Sequence, residues 1–214
     1  WSASAQLATS AAGTGWQTRR VFVNNGSVAN NAAPPAFLHS NLSGTQQGVL
    51  TENMVNYLRG DRTQENTTPQ PTLRPRRGLL GDIVHSEPVF VGAPNPNLYR
   101  SATFTGATTY AAFAAAQATR AQRLYTGAND GMLHAFDAAN GNESWAFVPS
   151  TAIGPGLRAF TLPDYEHNYN LDGELTVADV YLAGAWKTVL VGTKGRGTPG
   201  VFALDVTDPV NPRF

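Results

Sequence analysis

The chain has 214 residues, enough for one large or two small domains with a proper core, and its 15 basic and 15 acidic side chains cancel. With 14% charged residues, nothing directs it to nucleic acid or to an anionic membrane, and the lack of cysteine excludes disulfides and thiolate zinc sites within it. No apolar run approaches the roughly 18 residues of a membrane-crossing helix, and the abundance of Gly (21) and Pro (14) suits a turn-rich β protein.

In chain order, Trp1 to Ala12 predicts one short helix. The chain opens without an initiator methionine, so its lack of a signal segment says nothing about export. Gln17 to Gly48 reads as loop with one strand at Arg20-Val21-Phe22-Val23. Leu50 to Leu58 predicts a helix with Thr51 as N-cap, Glu52 at the positive end, Leu50 and Val55 as a hydrophobic staple, and Gly60 as the stop. Asp61 to Arg77 reads as a polar linker open to proteolysis, with Arg74-Pro75-Arg76-Arg77 as a solvated loop. Leu79 to Gly92 predicts two buried strands, and Tyr110 to Gln122 an Ala-rich helix capped by Thr109.

The most informative stretch is Leu124 to Pro149, LYTGANDGMLHAFDAANGNESWAFVP. Arg123 to Thr126, Met132 to Ala138 and Ser144 to Val148 predict three short strands. Asn129-Asp130-Gly131 and Ala139-Asn140-Gly141-Asn142 supply turns that tolerate positive φ. Such an antiparallel meander is about one blade of a β-propeller. Val201 to Val206 repeats the apolar-Ala-apolar-Asp signature of Leu133 to Ala138, with Asp205 matching Asp137. Ala135 to Ala203 spans 203 − 135 = 68 residues, longer than the roughly 40–50 of simple propeller repeats, so the blades carry insertions. Two unrelated hairpins sharing a dipeptide are the alternative. Asn170 to Gly184 and Trp186 to Gly192 complete the second meander, with Gly195 to Gly200 as a flexible hairpin loop. Trp145, Asp137, Gly141 and Asp205 are read as structural, Trp145 packing between sheets rather than stacking on a ligand.

The predicted class is therefore all-β: a partial β-propeller of quinoprotein-like antiparallel meanders with short helical insertions. Residues 1–77 are expected to form a helix and loop segment leading into an incomplete propeller of about two to three blades over residues 78–214, continuing in a larger parent. Arg59-Gly60-Asp61, GDIVHSEPVFVG from Gly81, the 125–149 motif, YNLDGELTVADVY from Tyr169 and WKTVLVGTKGRGTPGVFALDVTDP from Trp186 resemble the C-terminal propeller region of PilC/PilY-type type IV pilus tip proteins. The resemblance covers the chain from Trp1 to Phe214, more loosely in its N-terminal third. It implies an exported bacterial protein at the pilus tip or outer-membrane surface. Such a protein supports pilus assembly, counters retraction, and adheres to host or abiotic surfaces. Its partners would be minor pilins of the tip complex, and no nucleic acid.

The resemblance also implies calcium in the parent, held by an EF-hand-like loop that these residues lack, so no cofactor is expected within this stretch. The nearest approximation is Asn170, Asp172 and Glu174, with Asp179 further on. Position 181 is Tyr181, where such a loop needs an acid. The alternative is a hairpin turn at Asp172 with Asp179 facing solvent. Arg59-Gly60-Asp61 matches an integrin-type receptor motif, while Arg59 ending a helix and Gly60 capping it account for the same residues. His39, His85, His134 and His167 are too scattered for a metal site and read as core or hydrogen-bonded histidines. Asp82 and Glu87 flank a strand, and Gly195-Arg196-Gly197 is followed by a strand, which excludes a phosphate cradle. Ala135-Phe136-Asp137, Gly141 and Trp145 also resemble the tryptophan motif of pyrroloquinoline-quinone dehydrogenases. With one copy and no obvious catalytic acid, the chain is read as no enzyme, leaving that class and a plain scaffold as alternatives.

Overall fold

A computed structural model describes residues 1–65, 69–197 and 199–214. The elements run α1 (Ala3–Ser10), β1 (Val21–Val23), α2 (Gly44–Val49), α3 (Glu52–Arg59), β2 (Val89–Val91), α4 (Tyr110–Ala116), β3 (Arg123–Ala128), β4 (Met132–Asp137), β5 (Glu143–Val148), α5 (Pro155–Phe160), β6 (Leu175–Leu182), β7 (Ala185–Thr193) and β8 (Val201–Asp205). They form a five-stranded sheet ordered β1-β5-β4-β3-β2 and a three-stranded sheet ordered β6-β7-β8. All pairings are antiparallel except β1 with β5, where Val21 lies beside Ala146 and Val23 beside Val148. Neither sheet closes on itself, and the two antiparallel meanders stand as neighbouring blades of a partial propeller.

The alternation of β4 assigns its faces. Met132 joins Ala146 and Val148 in a core with Val21, Val23, Leu50, Val55, Tyr57 and Leu157, so helices α3 and α5 cover one face of the first sheet. Leu133 and Ala135 point the other way. With Trp145 and Phe147 they meet Leu175, Leu190, Phe202 and Leu204 of the second sheet. Residues 1–77 thus supply a strand and half of a core to the sheet built by the later residues.

Several expectations need correction. The segment from Asp61 to Arg77 is not a solvated linker. Leu73, Glu65 and Arg76 are buried, and the Arg76 guanidinium pairs with Glu65 at 2.7 Å, lies over the Tyr57 ring and donates to the Tyr57 carbonyl. Arg74 stacks on Phe160 and Tyr165. Counting basic residues missed that a guanidinium is buried readily once aromatic faces and a carboxylate surround it. Residues 66–68 of that stretch lie outside the described residues. Of the two strands expected in Leu79 to Gly92, only β2 forms. The Gly81 and His85 amides instead donate to the Asp130 and Asp172 carboxylates, and the Ser86 hydroxyl accepts from the Gly127 amide, which takes two of the segment's amides away from a ladder. Helix α4 ends at Ala116 rather than Gln122, and Thr109 donates its hydroxyl to the Gly106 carbonyl instead of capping. The expected loop of residues 17–48 contains the start of α2, held by a capping box in which Ser43 accepts from the Gln46 amide and the Gln46 side chain accepts from Ser43. Helix α3 forms as predicted, with Thr51 accepting from the Met54 amide and Gly60 at φ 125° as its stop.

Candidate functional site

Polar chemistry concentrates where the residues from Gly81 to Ser86 cross the β3–β4 turn. A Cβ at Gly81 would lie 2.3 Å from the Asp130 amide nitrogen, so only glycine lets the chain lie this close. Asp130 Oδ2 accepts from the Gly81 amide at 2.9 Å, and its Oδ1 from the Met132 amide at 3.2 Å.

Asp130 also faces His134, whose Nε2 lies 3.1 Å from Oδ2. The other ring nitrogen, Nδ1, meets Glu143 Oε1 at 2.8 Å, and Glu143 is gripped by Arg19 through Nε at 2.6 Å and Nη2 at 2.8 Å. Arg19 further donates to the Arg59 carbonyl at the end of α3. His134 is completely buried, and the Arg19 and Glu143 side chains almost so. The register shift between Ala135 and Phe136 explains this placement. Glu143 and Trp145 would share a face in a regular strand. The bulge turns Glu143 to the His134 face and leaves Trp145 on the other. Burial alone would lower the His134 pKa, but the Asp130 and Glu143 carboxylates override it and push it up to about 9. Burial likewise opposes the Glu143 charge, yet Arg19 and then His134 hold that carboxyl down at about 2. The four groups carry two positive and two negative charges, and each is satisfied by the others.

A second histidine pair lies beside it. Asp172 is buried and turns both oxygens to His85: Oδ1 accepts from the backbone amide at 2.9 Å and Oδ2 sits 2.5 Å from Nδ1. The His85 ring is 43% exposed. It borders an open cleft of 430 Å³ that also takes in Glu174, Thr176, Thr193 and Arg196. A Cβ on Gly173 would lie 2.0 Å from the Thr193 hydroxyl, so these two segments are in direct contact. Asp82 accepts from Asn129 at 2.7 Å and contacts His167 at 2.8 Å.

The calcium candidates are not brought together. Asn170 is buried and bonded to Asn129, its amide and Nδ2 at 3.0 and 2.9 Å from the Asn129 side-chain and backbone oxygens. Asp172 is taken by His85, and Glu174 is exposed. Asp179 lies on β6, where Tyr110 and Thr188 donate to it at 2.6 and 2.5 Å, so it does not face solvent freely. Among the described residues, no three His, Cys, Asp or Glu side chains converge for a metal. Arg59 does not project. It is buried, donates to the Gln17 carbonyl at 3.0 Å and lies over Trp16, while Asp61 accepts from the Thr63 amide. Trp145 is completely buried and donates to the Pro209 carbonyl at 3.0 Å. Asp137 pairs with Arg123 and accepts from the Ala139 amide, Gly141 stands at φ 76°, and Asp205 pairs with Lys187 at 2.8 Å. Sequence reasoning missed the Arg19, Asp130, His134 and Glu143 cluster. Its local signal was an acid four positions before a histidine within a strand-turn-strand.

The family described as the PilY1 beta-propeller domain matches residues 80–213. The chain belongs to the PilY1 β-propeller family. A type IV pilus biogenesis factor PilY1 homolog of Xylella fastidiosa (strain Temecula1) is 54% identical over 187 residues, 87% of this chain and 15% of that protein. Type IV pilus biogenesis factor PilY1 of Pseudomonas aeruginosa (strain PAK) is 45% identical over 163 residues, 75% of this chain and 14% of that protein. The chain therefore spans about one seventh of the length of these PilY1 relatives. The crystal structure of the Pseudomonas aeruginosa PilY1 C-terminal domain aligns at 51% identity and a TM-score of 0.39, over 49% of this chain and 19% of that one.

Proposed function

We propose that this chain is the propeller portion of a type IV pilus biogenesis factor displayed at the pilus tip or outer-membrane surface, where it supports pilus assembly, restrains retraction and contributes to adhesion. Minor pilins of the tip complex are its partners within the pilus, and a host or abiotic surface is its partner outside. The observation that carries the reading is the PilY1 propeller match across residues 80–213. The fold supports a scaffold role, because the most tightly organised chemistry is buried and serves to join segments rather than to meet a substrate.

The test is Trp145→Ala in the full-length protein, compared with wild type for surface pili, twitching and attachment. Loss of all three is expected. Cells that remain fully piliated and attached while the propeller is shown to be unfolded would overturn the proposal.

A further inference from the structure

We infer that the cleft beside His85 binds a small carboxylate that also carries hydroxyl groups, of the size of one hexuronic acid. This stands on the cleft alone and is independent of the pilus reading. Asp172 is a buried carboxylate with both oxygens on His85, one on its backbone amide and one on ring Nδ1, so the ring is anchored on that side. That contact holds the ring, which is 43% exposed, at the border of the cleft. Glu174 offers an acceptor beside it. Arg196 is the cation of the cleft, and among the described residues neither Arg196 nor Glu174 forms an ion pair. Thr176 and Thr193 supply hydroxyls that donate or accept.

The complement of one guanidinium, one carboxylate, an imidazole edge and two hydroxyls is one acid group and several hydroxyls. A guanidinium holds a carboxylate through two parallel N–H bonds. A neutral sugar leaves Arg196 unpaired, and a phosphate sets its second charge against Glu174. The 430 Å³ volume lies within the range of small-molecule sites, roughly 300–1,000 Å³.

Saturation-transfer NMR on the full-length protein, with glucuronate, glucose and inorganic phosphate as probes, tests the assignment. Glucuronate is expected to give the strongest signal. Arg196→Gln and His85→Phe should each weaken it by about 10-fold, as loss of one buried or charge-assisted partner does. Arg100→Gln, elsewhere on the surface, should leave it unchanged. No glucuronate signal, equal signals from glucose or phosphate, or an undiminished signal in Arg196→Gln would overturn the assignment.

Discussion

The imidazole of His134 has no access to water, yet its surroundings demand that it be charged. Its protonated form is stabilised by folding. That contribution is complete below its ordinary value of 6.5 and disappears as pH rises through about 9. Glu143 works in the opposite sense: its contribution is complete above 4.5 and is lost as pH falls through about 2. The melting temperature should therefore hold between pH 4.5 and 6.5, decline on the alkaline side between pH 6.5 and 9, and decline on the acid side between pH 4.5 and 2. A His134→Gln protein should lose the alkaline decline, and differential scanning calorimetry in matched buffers measures both limbs. Glu143→Gln leaves Arg19 and His134 charged without their shared carboxylate, at a cost of about 3–5 kcal/mol read from the urea midpoint. Asp172 revises an expectation at the same scale. As an exposed turn residue it would contribute little. With its carboxylate buried against the His85 amide and ring, Asp172→Ala should cost about 1–3 kcal/mol.

Among the elements, β3, β4 and β5 were legible because their signals are local: Asp130-Gly131 and Gly141 mark the turns, and apolar residues mark the strands between. The Trp145 assignment needed only its position in the meander, and the structure gives it full burial against the second sheet. Trp145→Ala should cost about 3–5 kcal/mol in thermal unfolding. The rest was hidden for a physical reason. Residues 81–86 look like a strand by composition, but the Gly81 and His85 amides bond to carboxylates of distant turns and the Asp82 carbonyl to the Asn129 amide. Arg76 looks like a surface charge, but its solvent is replaced by Glu65 and the Tyr57 ring. The calcium and receptor motifs were legible only as spellings, since the burial of Asn170, Asp172 and Arg59 depends on which segments cover them. The crossing at Gly81 can be tested directly. Gly81→Ala forces a methyl group onto the Asp130 amide and should cost about 1–3 kcal/mol, measured by urea unfolding.

For the molecule as a whole, the second sheet has only one covered face. Leu182, Val191 and Val201 are exposed on it, beside the apolar hollow bordered by Ala185, Val189 and Ala203. A sheet in this condition associates through its bare face and edges. The 214-residue chain on its own should self-associate as its concentration rises in sedimentation velocity, and Val201→Lys should reduce that association without lowering the melting temperature.

The parallel pairing of β1 with β5 bears on the order of events during folding. Arg19, at the entrance to β1, grips Glu143 from 124 positions away. A ribosome releases β1 long before its partner strand exists. The β3–β4–β5 hairpins close through neighbours in sequence, whereas docking β1 requires closing a very large loop, whose entropic cost must be met before any contact rewards it. The early segment must therefore wait, its apolar residues uncovered, until the later one has formed a surface to receive it. In refolding kinetics, Val23→Ala should accelerate unfolding and leave the folding rate nearly untouched, while Ala135→Gly should slow folding itself.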